Sequence, residues 1–180
     1  MAKRVSFSNE HQNLSDISLH HSDTEFSLRT YFSNARNYAE RFSTYTVDEI
    51  QKELGERIHE LNLTSSLSLL AALEAVFRID YLQRNYKRKK DALSVACRDI
   101  YKEKQTKASL ENDILDAWMA NTEGANQLIS ELKGAFKYRH WLAHGRYWKP
   151  RMGRPSYDYE TIYELSEIVF SSFPFEGLNT

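Results

Sequence analysis

Cysteine, proline and glycine are all scarce in this chain of 180 residues, which holds one, three and six of them. A lone Cys97 cannot close an internal disulfide, which excludes a disulfide-stapled scaffold and suits a reducing compartment. No proline precedes Pro150, and so few breakers favour long helices joined by short turns. Long apolar runs are missing as well. Leu69 to Leu73 is cut short by Glu74 and falls far below the length of a bilayer span. No apolar segment follows the basic start Met1-Ala-Lys-Arg, so a signal peptide is not expected. The expectation is a cytoplasmic protein without a membrane partner. An excess of either charge is absent too: 24 Lys and Arg face 25 Asp and Glu, a net charge of −1. That balance excludes a generally basic nucleic-acid coat.

What is present is helical patterning. The first 22 residues are polar and without a sustained period, and read as an arm. Residues 23–180 then form a single domain. A first helix is expected from Thr24 to Ser43. Thr46 and Glu49 form a capping box that opens a second, and Thr64 can start a third, running to about Tyr86. This third helix is apolar on nearly every side and should be central. Asp91 to Gln105 reads as a fourth, Ser109 caps a fifth, and the sixth runs from Glu123 or Gly124 to about Tyr147. Asp158 caps a last helix carrying Ile162, Leu165, Ile168 and Val169, ended by Pro174. Two-residue alternation of useful length is missing, so the fold class is all-α, a compact bundle of about five to seven helices.

Charge becomes one-sided only between residues 133 and 154, where seven Lys and Arg stand with no Asp or Glu. The same stretch holds His140, His144, Trp141 and Trp148. Cations, groups that titrate near neutrality and flat rings are what a polyanion with a labile phosphodiester would require. Arg139 and His144 make an Arg, four residues, His pattern. The bare pattern is weak, since Arg4 and His11 fit a looser version within the polar arm. Its context is the stronger signal: Arg139-His-Trp-Leu-Ala-His-Gly-Arg-Tyr-Trp148, late in an all-α chain and among cationic and aromatic neighbours.

These ten residues resemble the signature of the HEPN superfamily, and in particular the branch called RiboL-PSP-HEPN. In that signature an Arg is followed by a polar residue, three more residues and a His, with His140 here in the polar place. A looser similarity covers the acid-bearing helix Leu69–Arg84. The resemblance implies a metal-independent endoribonuclease that works as a homodimer, with the two motif helices meeting at a composite site. It also implies a toxin or antiviral defence effector restrained by an antitoxin or other regulatory protein. In toxins of this kind a Tyr commonly follows the motif His after one residue; here Arg146 holds that place and Tyr147 comes one later, so modification of this Tyr by a partner is not expected.

The chemistry can be reasoned independently. Cleaving RNA without a metal uses the 2′-hydroxyl as nucleophile and needs a base, an acid and cations for the phosphorane charge. His144 suits the base and Arg139 the phosphoryl grip. His140 could orient Arg139 or donate a proton across a dimer. The products would be a 2′,3′-cyclic phosphate and a 5′-hydroxyl. Arg139 and His144 stand about 140° apart on an ideal helix, so facing helices suit the pair better than one. His140 and His144 share a face and could begin a metal site, but a third ligand is missing nearby in sequence, and no cofactor is expected.

Glu74 falls on an apolar stripe and needs a partner, either Arg78 one turn on or, across the bundle, Arg139 or a histidine. Lys137, Arg146, Lys149, Arg151 and Arg154 are the expected RNA contacts. Arg84, Lys87, Arg88, Lys89 and Lys90 form a second basic cluster that reads as a solvated helix end, with extension of an RNA track as the alternative. His11, His20 and His21 read as solvated arm residues. Two other readings stay open: a HEPN-like module that binds nucleic acid or nucleotide, or dimerises, without cleaving; and a helical domain used only for protein contact.

Overall fold

A computed structural model describes residues 4–8, 10–150 and 157–177. Among these the chain forms seven α-helices and no strand: α1 Leu14–Ser33, α2 Ala35–Tyr38, α3 Val47–Lys87, α4 Ala92–Lys104, α5 Leu115–Asn121, α6 Ala125–Ala143 and α7 Tyr159–Ser172. A short 3-10 turn, Gln105–Lys107, and a π turn, Leu110–Ile114, lie between α4 and α5. The all-α bundle is as expected.

The caps explain most boundaries. Thr46 Oγ1 accepts from the Glu49 amide while Glu49 accepts from the Thr46 amide at 2.7 Å, and these bonds hold the Glu49 carboxyl below its ordinary range. Asp91 accepts from the Ser94 amide at 2.9 Å to open α4. Asp158 and Thr161 cap α7 reciprocally. Ser109 accepts from the Asn112 amide, so its cap opens the π turn that leads into α5.

Four expected boundaries fall elsewhere. α1 ends at Ser33 and not at Ser43, because Asn34 turns extended and its side chain accepts from the Arg36 amide to open the separate α2. α1 begins at Leu14, upstream of Thr24, because the Asn13 side chain accepts from the Asp16 amide at 2.8 Å. The non-helical arm before it is therefore shorter than 22 residues. His21 lies within α1 and is buried, not solvated. Its ring stacks on Tyr159 at 3.7 Å and its Nε2 meets Asn62 Oδ1 at 2.8 Å. Thr64 does not break the chain, and the second and third expected helices are the single 41-residue α3. The Thr64 hydroxyl donates back to the carbonyls of Glu60 and Leu61, a bond compatible with an unbroken helix interior. α6 stops at Ala143 instead of Tyr147. Gly145 adopts φ +79°, and the Arg146 amide reaches back to the Trp141 carbonyl at 3.2 Å, the closing bond of a Schellman turn.

α3 is the axis of the bundle, packing against α1, α4, α6 and α7. Leu69, Leu70, Leu73 and Phe77 have no exposure at all, which explains why its apolar residues are not confined to one stripe. Trp118 of α5 closes the centre, with Phe77 edge-on at 5.9 Å and Phe173 at 4.8 Å. On α7, Ile162, Leu165 and Val169 are buried while Ile168 is half exposed, a correction to its expected inward face. Residues 162, 165 and 169 share one helical stripe, and 168 lies at its edge. The first half of α3 contributes Ile50 to a smaller apolar cluster with Phe32 and Phe42. Cys97 is fully buried, and burial pushes its thiol up to about 12, so it stays protonated and unreactive.

One polar knot interrupts this apolar interior. Arg84 Nε donates to both oxygens of Asp80 at 3.0 and 2.9 Å, its Nη1 reaches Ser94 Oγ, and its Nη2 donates to the Pro174 carbonyl at 2.7 Å. The Glu176 amide donates to Asp80 at 2.7 Å, and the guanidinium lies 5.1 Å from the Trp118 ring centroid. Burial raises the Asp80 carboxyl against the pull of Arg84 and the Glu176 amide. Arg84 is thus no part of a solvated basic cluster. Lys87 and Lys89 stay exposed as expected and both donate to the Glu176 carboxylate.

Removing one partner of a buried pair strands the other charge, at a cost of about 3–5 kcal/mol. Asp80→Ala should therefore lower the unfolding midpoint by roughly 10–15 °C in a calorimetric scan; a shift within error of wild type would show that the pair is dispensable. Glu176 gives a pH test. Hydrogen bonds from Lys87, then Lys89, hold its carboxyl below the ordinary 4.5. A depressed folded pKa contributes stability that is present above the unfolded value and lost as pH falls through the folded one. The stability gap between wild type and Glu176→Gln in urea should be open at neutral pH and close as pH drops below 4.5. A gap independent of pH would remove the carboxylate from the account.

Candidate active site

The last two turns of α6 carry the basic motif past the middle of α3. Arg139 points across at Glu74, with Nη2 3.0 Å from Oε2. The other oxygen, Oε1, accepts from Arg78 Nε at 2.7 Å, and Arg78 Nη1 continues to the Ala108 carbonyl at 3.2 Å. Both partners weighed for Glu74 are therefore engaged at once. One carboxylate bridges two guanidiniums from two helices, which is how an acid on an apolar stripe is satisfied. Among the described residues the buried Nε of Arg139 has no hydrogen-bond partner, so this side chain, 34% exposed, retains donor capacity.

Arg139 and Glu74 border an open cleft of about 450 Å³, lined also by Arg78, Lys107, Ser109 and His140. Arg78, Lys107 and Ser109 were not anticipated as site residues. The signals for them were slight: Arg78 sits one turn from Glu74, and Ser109 reads in sequence only as a cap. His140 is exposed and its ring lies 4.2 Å from that of His144, inclined at 48°. His144 is the residue at which α6 ends, with its amide on the His140 carbonyl at 3.1 Å. It is exposed and does not line the Arg139 cleft. A single chain thus brings Arg139, Glu74 and His140 to one cleft and sets His144 beside His140 at its edge.

The loop that follows is fixed by aromatic contacts. Trp141 Nε1 donates to the Trp148 carbonyl at 2.7 Å, Trp148 faces His140 at 5.9 Å, and Tyr138 stacks between Trp141 and Tyr157 at 5.6 Å from each. Trp141 is therefore a packing residue in part, while Tyr147 is 84% exposed.

The expected RNA contacts divide. Lys137 and Lys149 are exposed near the motif. Arg146 is instead turned away to α3, where it grips Glu60 with two bonds of 2.8 and 3.0 Å. The bidentate pair occupies the guanidinium, and φ +58° at Arg146 sets its direction. Arg151 and Arg154 lie outside the described residues. Among the described residues no group of three or more His, Cys, Asp or Glu side chains converges as a metal site requires.

Against families, curated proteins and solved structures, the chain finds no match.

The Glu74 bridge can be measured. Residues sharing one ion pair couple by about 0.5–3 kcal/mol in a double-mutant cycle, and partial exposure of Arg139 places this pair near the lower end. Glu74→Ala, Arg139→Ala and the double variant should give a coupling of about 1 kcal/mol in urea unfolding. Additive effects would show that the contact between α3 and α6 carries no energy.

Proposed function

We propose that this protein is a metal-independent endoribonuclease that cuts RNA by internal attack of the 2′-hydroxyl. The observation that carries the reading is the cleft beside α6, in which Glu74 holds Arg139 and His140 lines the wall, with the His144 ring 4.2 Å from that of His140. A positioned cation beside two imidazoles supplies the phosphoryl grip and the acid and base that such chemistry needs. His144 takes the 2′-hydroxyl proton as the oxygen attacks phosphorus. Arg139 stabilises the charge on the five-coordinate phosphorus. A second imidazole, His140 or the equivalent group of a second copy, protonates the departing 5′-oxygen. The P–O5′ bond breaks as the P–O2′ bond forms, giving a 2′,3′-cyclic phosphate and a 5′-hydroxyl.

The placement of His144 outside the Arg139 cleft favours a homodimer as the working unit, in which Arg139 of one copy serves His144 of the other. It also supports a second reading, a HEPN-like module that binds RNA or nucleotide without cleaving it, since one chain alone does not assemble the full set. The setting proposed is the cytoplasm, in a toxin or antiviral defence system where a protein partner restrains the activity.

Cleavage should persist in EDTA and fail on strands whose 2′-hydroxyls are blocked. His144→Ala should lower the rate by about 10²–10⁴ while leaving affinity for a blocked strand nearly unchanged. Mixing Arg139→Ala and His144→Ala subunits should restore part of the activity. Activity found only with a divalent ion would overturn the mechanism. Loss of binding together with cleavage in His144→Ala, at unchanged helicity, would favour the binding module.

A further inference from the structure

Among the described residues, a second group of cations without carboxylate partners lies away from α6, where the end of α3 meets α4. Here a cleft of about 660 Å³ is lined by Arg4, Asn85, Tyr86, Arg88, Arg98, Tyr101 and Lys102. Glu74 and Arg88 are about 21 Å apart along α3 at 1.5 Å per residue, so this cleft is separate from the candidate active site. Its volume is within the range of small-ligand sites.

Its construction argues for an anion. Among the described residues none of Arg4, Arg88 and Arg98 has a carboxylate partner, although most guanidiniums on the bundle do. Lys102 pairs with Asp99, and Arg98 adds to the pull that holds that carboxyl below its ordinary range. Arg98, Tyr101 and Lys102 share one face of α4 by their spacing. Arg98 is oriented by a bond from Nη1 to the Lys89 carbonyl. Tyr86 is fixed from the other side, its hydroxyl accepting from the Val5 amide at 2.9 Å. Arg4 lies over the Tyr86 ring at 5.0 Å. Three guanidiniums around one cleft repel one another unless an anion sits between them.

The backbone adds a second argument. Arg88 closes α3 in the left-handed conformation, φ +52°, a place normally given to Gly or Asn. A long cationic side chain there is disfavoured by its own backbone, as residues serving a ligand often are. The rings supply the last feature. Tyr86 and Tyr101 lie 6.4 Å apart and nearly perpendicular, so the cleft offers a π surface beside the cations.

We propose that this cleft binds one nucleotide, its phosphates among Arg4, Arg88 and Arg98 and its base against Tyr101. The nucleotide is either free or one unit of an RNA strand; phosphate plus a flat ring is the chemistry common to both.

Calorimetric titration of the full chain with ATP, inorganic triphosphate and a short 2′-O-methyl oligonucleotide tests this. The blocked 2′-oxygens prevent cleavage, so the result does not depend on whether the protein is a ribonuclease. ATP should bind more tightly than triphosphate. The double variant Arg4→Gln, Arg88→Gly should weaken ATP by about tenfold or more, the effect expected for losing two charge-assisted contacts. Gly at position 88 suits the left-handed backbone, so the fold is kept. ATP matching the oligonucleotide identifies a free nucleotide as the ligand. An oligonucleotide much tighter than ATP, whose log–log salt slope falls by about 1.4 in the double variant, identifies a strand. No binding of ATP or oligonucleotide to wild type at about 5 mM, unchanged affinities in the double variant, or equal affinity for ATP and triphosphate would overturn the proposal.

Discussion

The ion pair of Asp80 and Arg84 sits where three helices and the final segment of the chain would otherwise have little reason to meet. Its guanidinium spends its donors on α3, on Ser94 of α4 and on the Pro174 carbonyl, and its flat face lies against Trp118 of α5. A charge removed from water tolerates few arrangements, since each unmet donor is costly. Apolar side chains in the same volume would hold the helices together but would accept several registers. The pair thereby fixes how α3 is rotated against α4 and the end of α7, and that rotation determines which residues of α3 face α6.

Glu74 depends on this setting. It lies less than two turns before Asp80 on α3, and its carboxylate must meet Arg78 on its own helix and Arg139 on another. The two guanidiniums repel each other, and a single carboxylate between them leaves the group with a net positive charge. Around the cleft Arg78, Lys107 and Arg139 face two acids, Glu74 and Glu111, so its lining keeps one positive charge in excess. A half-exposed site of this kind feels salt strongly, in contrast to the buried pair beneath it.

Much of the scaffold was legible because caps are local. Thr46, Asp91 and Asp158 each make the short-range bonds that their sequence context indicates, and the all-α class follows from the scarcity of breakers. The Glu74–Arg139 contact was legible because a carboxylate on an apolar stripe requires a cation. What could not be read depended on distant partners. His21 is buried because Asn62 and Tyr159 reach it, and Arg84 because Asp80, Ser94 and Pro174 do. Arg146 looked like one cation among seven until Glu60 claimed it. Thr64 carries the residue type of a cap but sits where the chain had no cause to stop, and a hydroxyl alone does not distinguish the two cases.

α3 carries Glu60 against the loop after α6, Glu74 against Arg139, Asp80 in the core and Tyr86 at the second cleft. All four are set on one uninterrupted helix, so they share a single screw axis. Inserting or deleting one residue between any two would turn one relative to the other by about 100° and shift it by about 1.5 Å. Such a change would bring every later contact out of phase. The middle of α3 should therefore tolerate exchange of residues but not any change in their number. Length variation in this protein would be confined to the connections between helices, where a loop can absorb it without rotating what lies beyond.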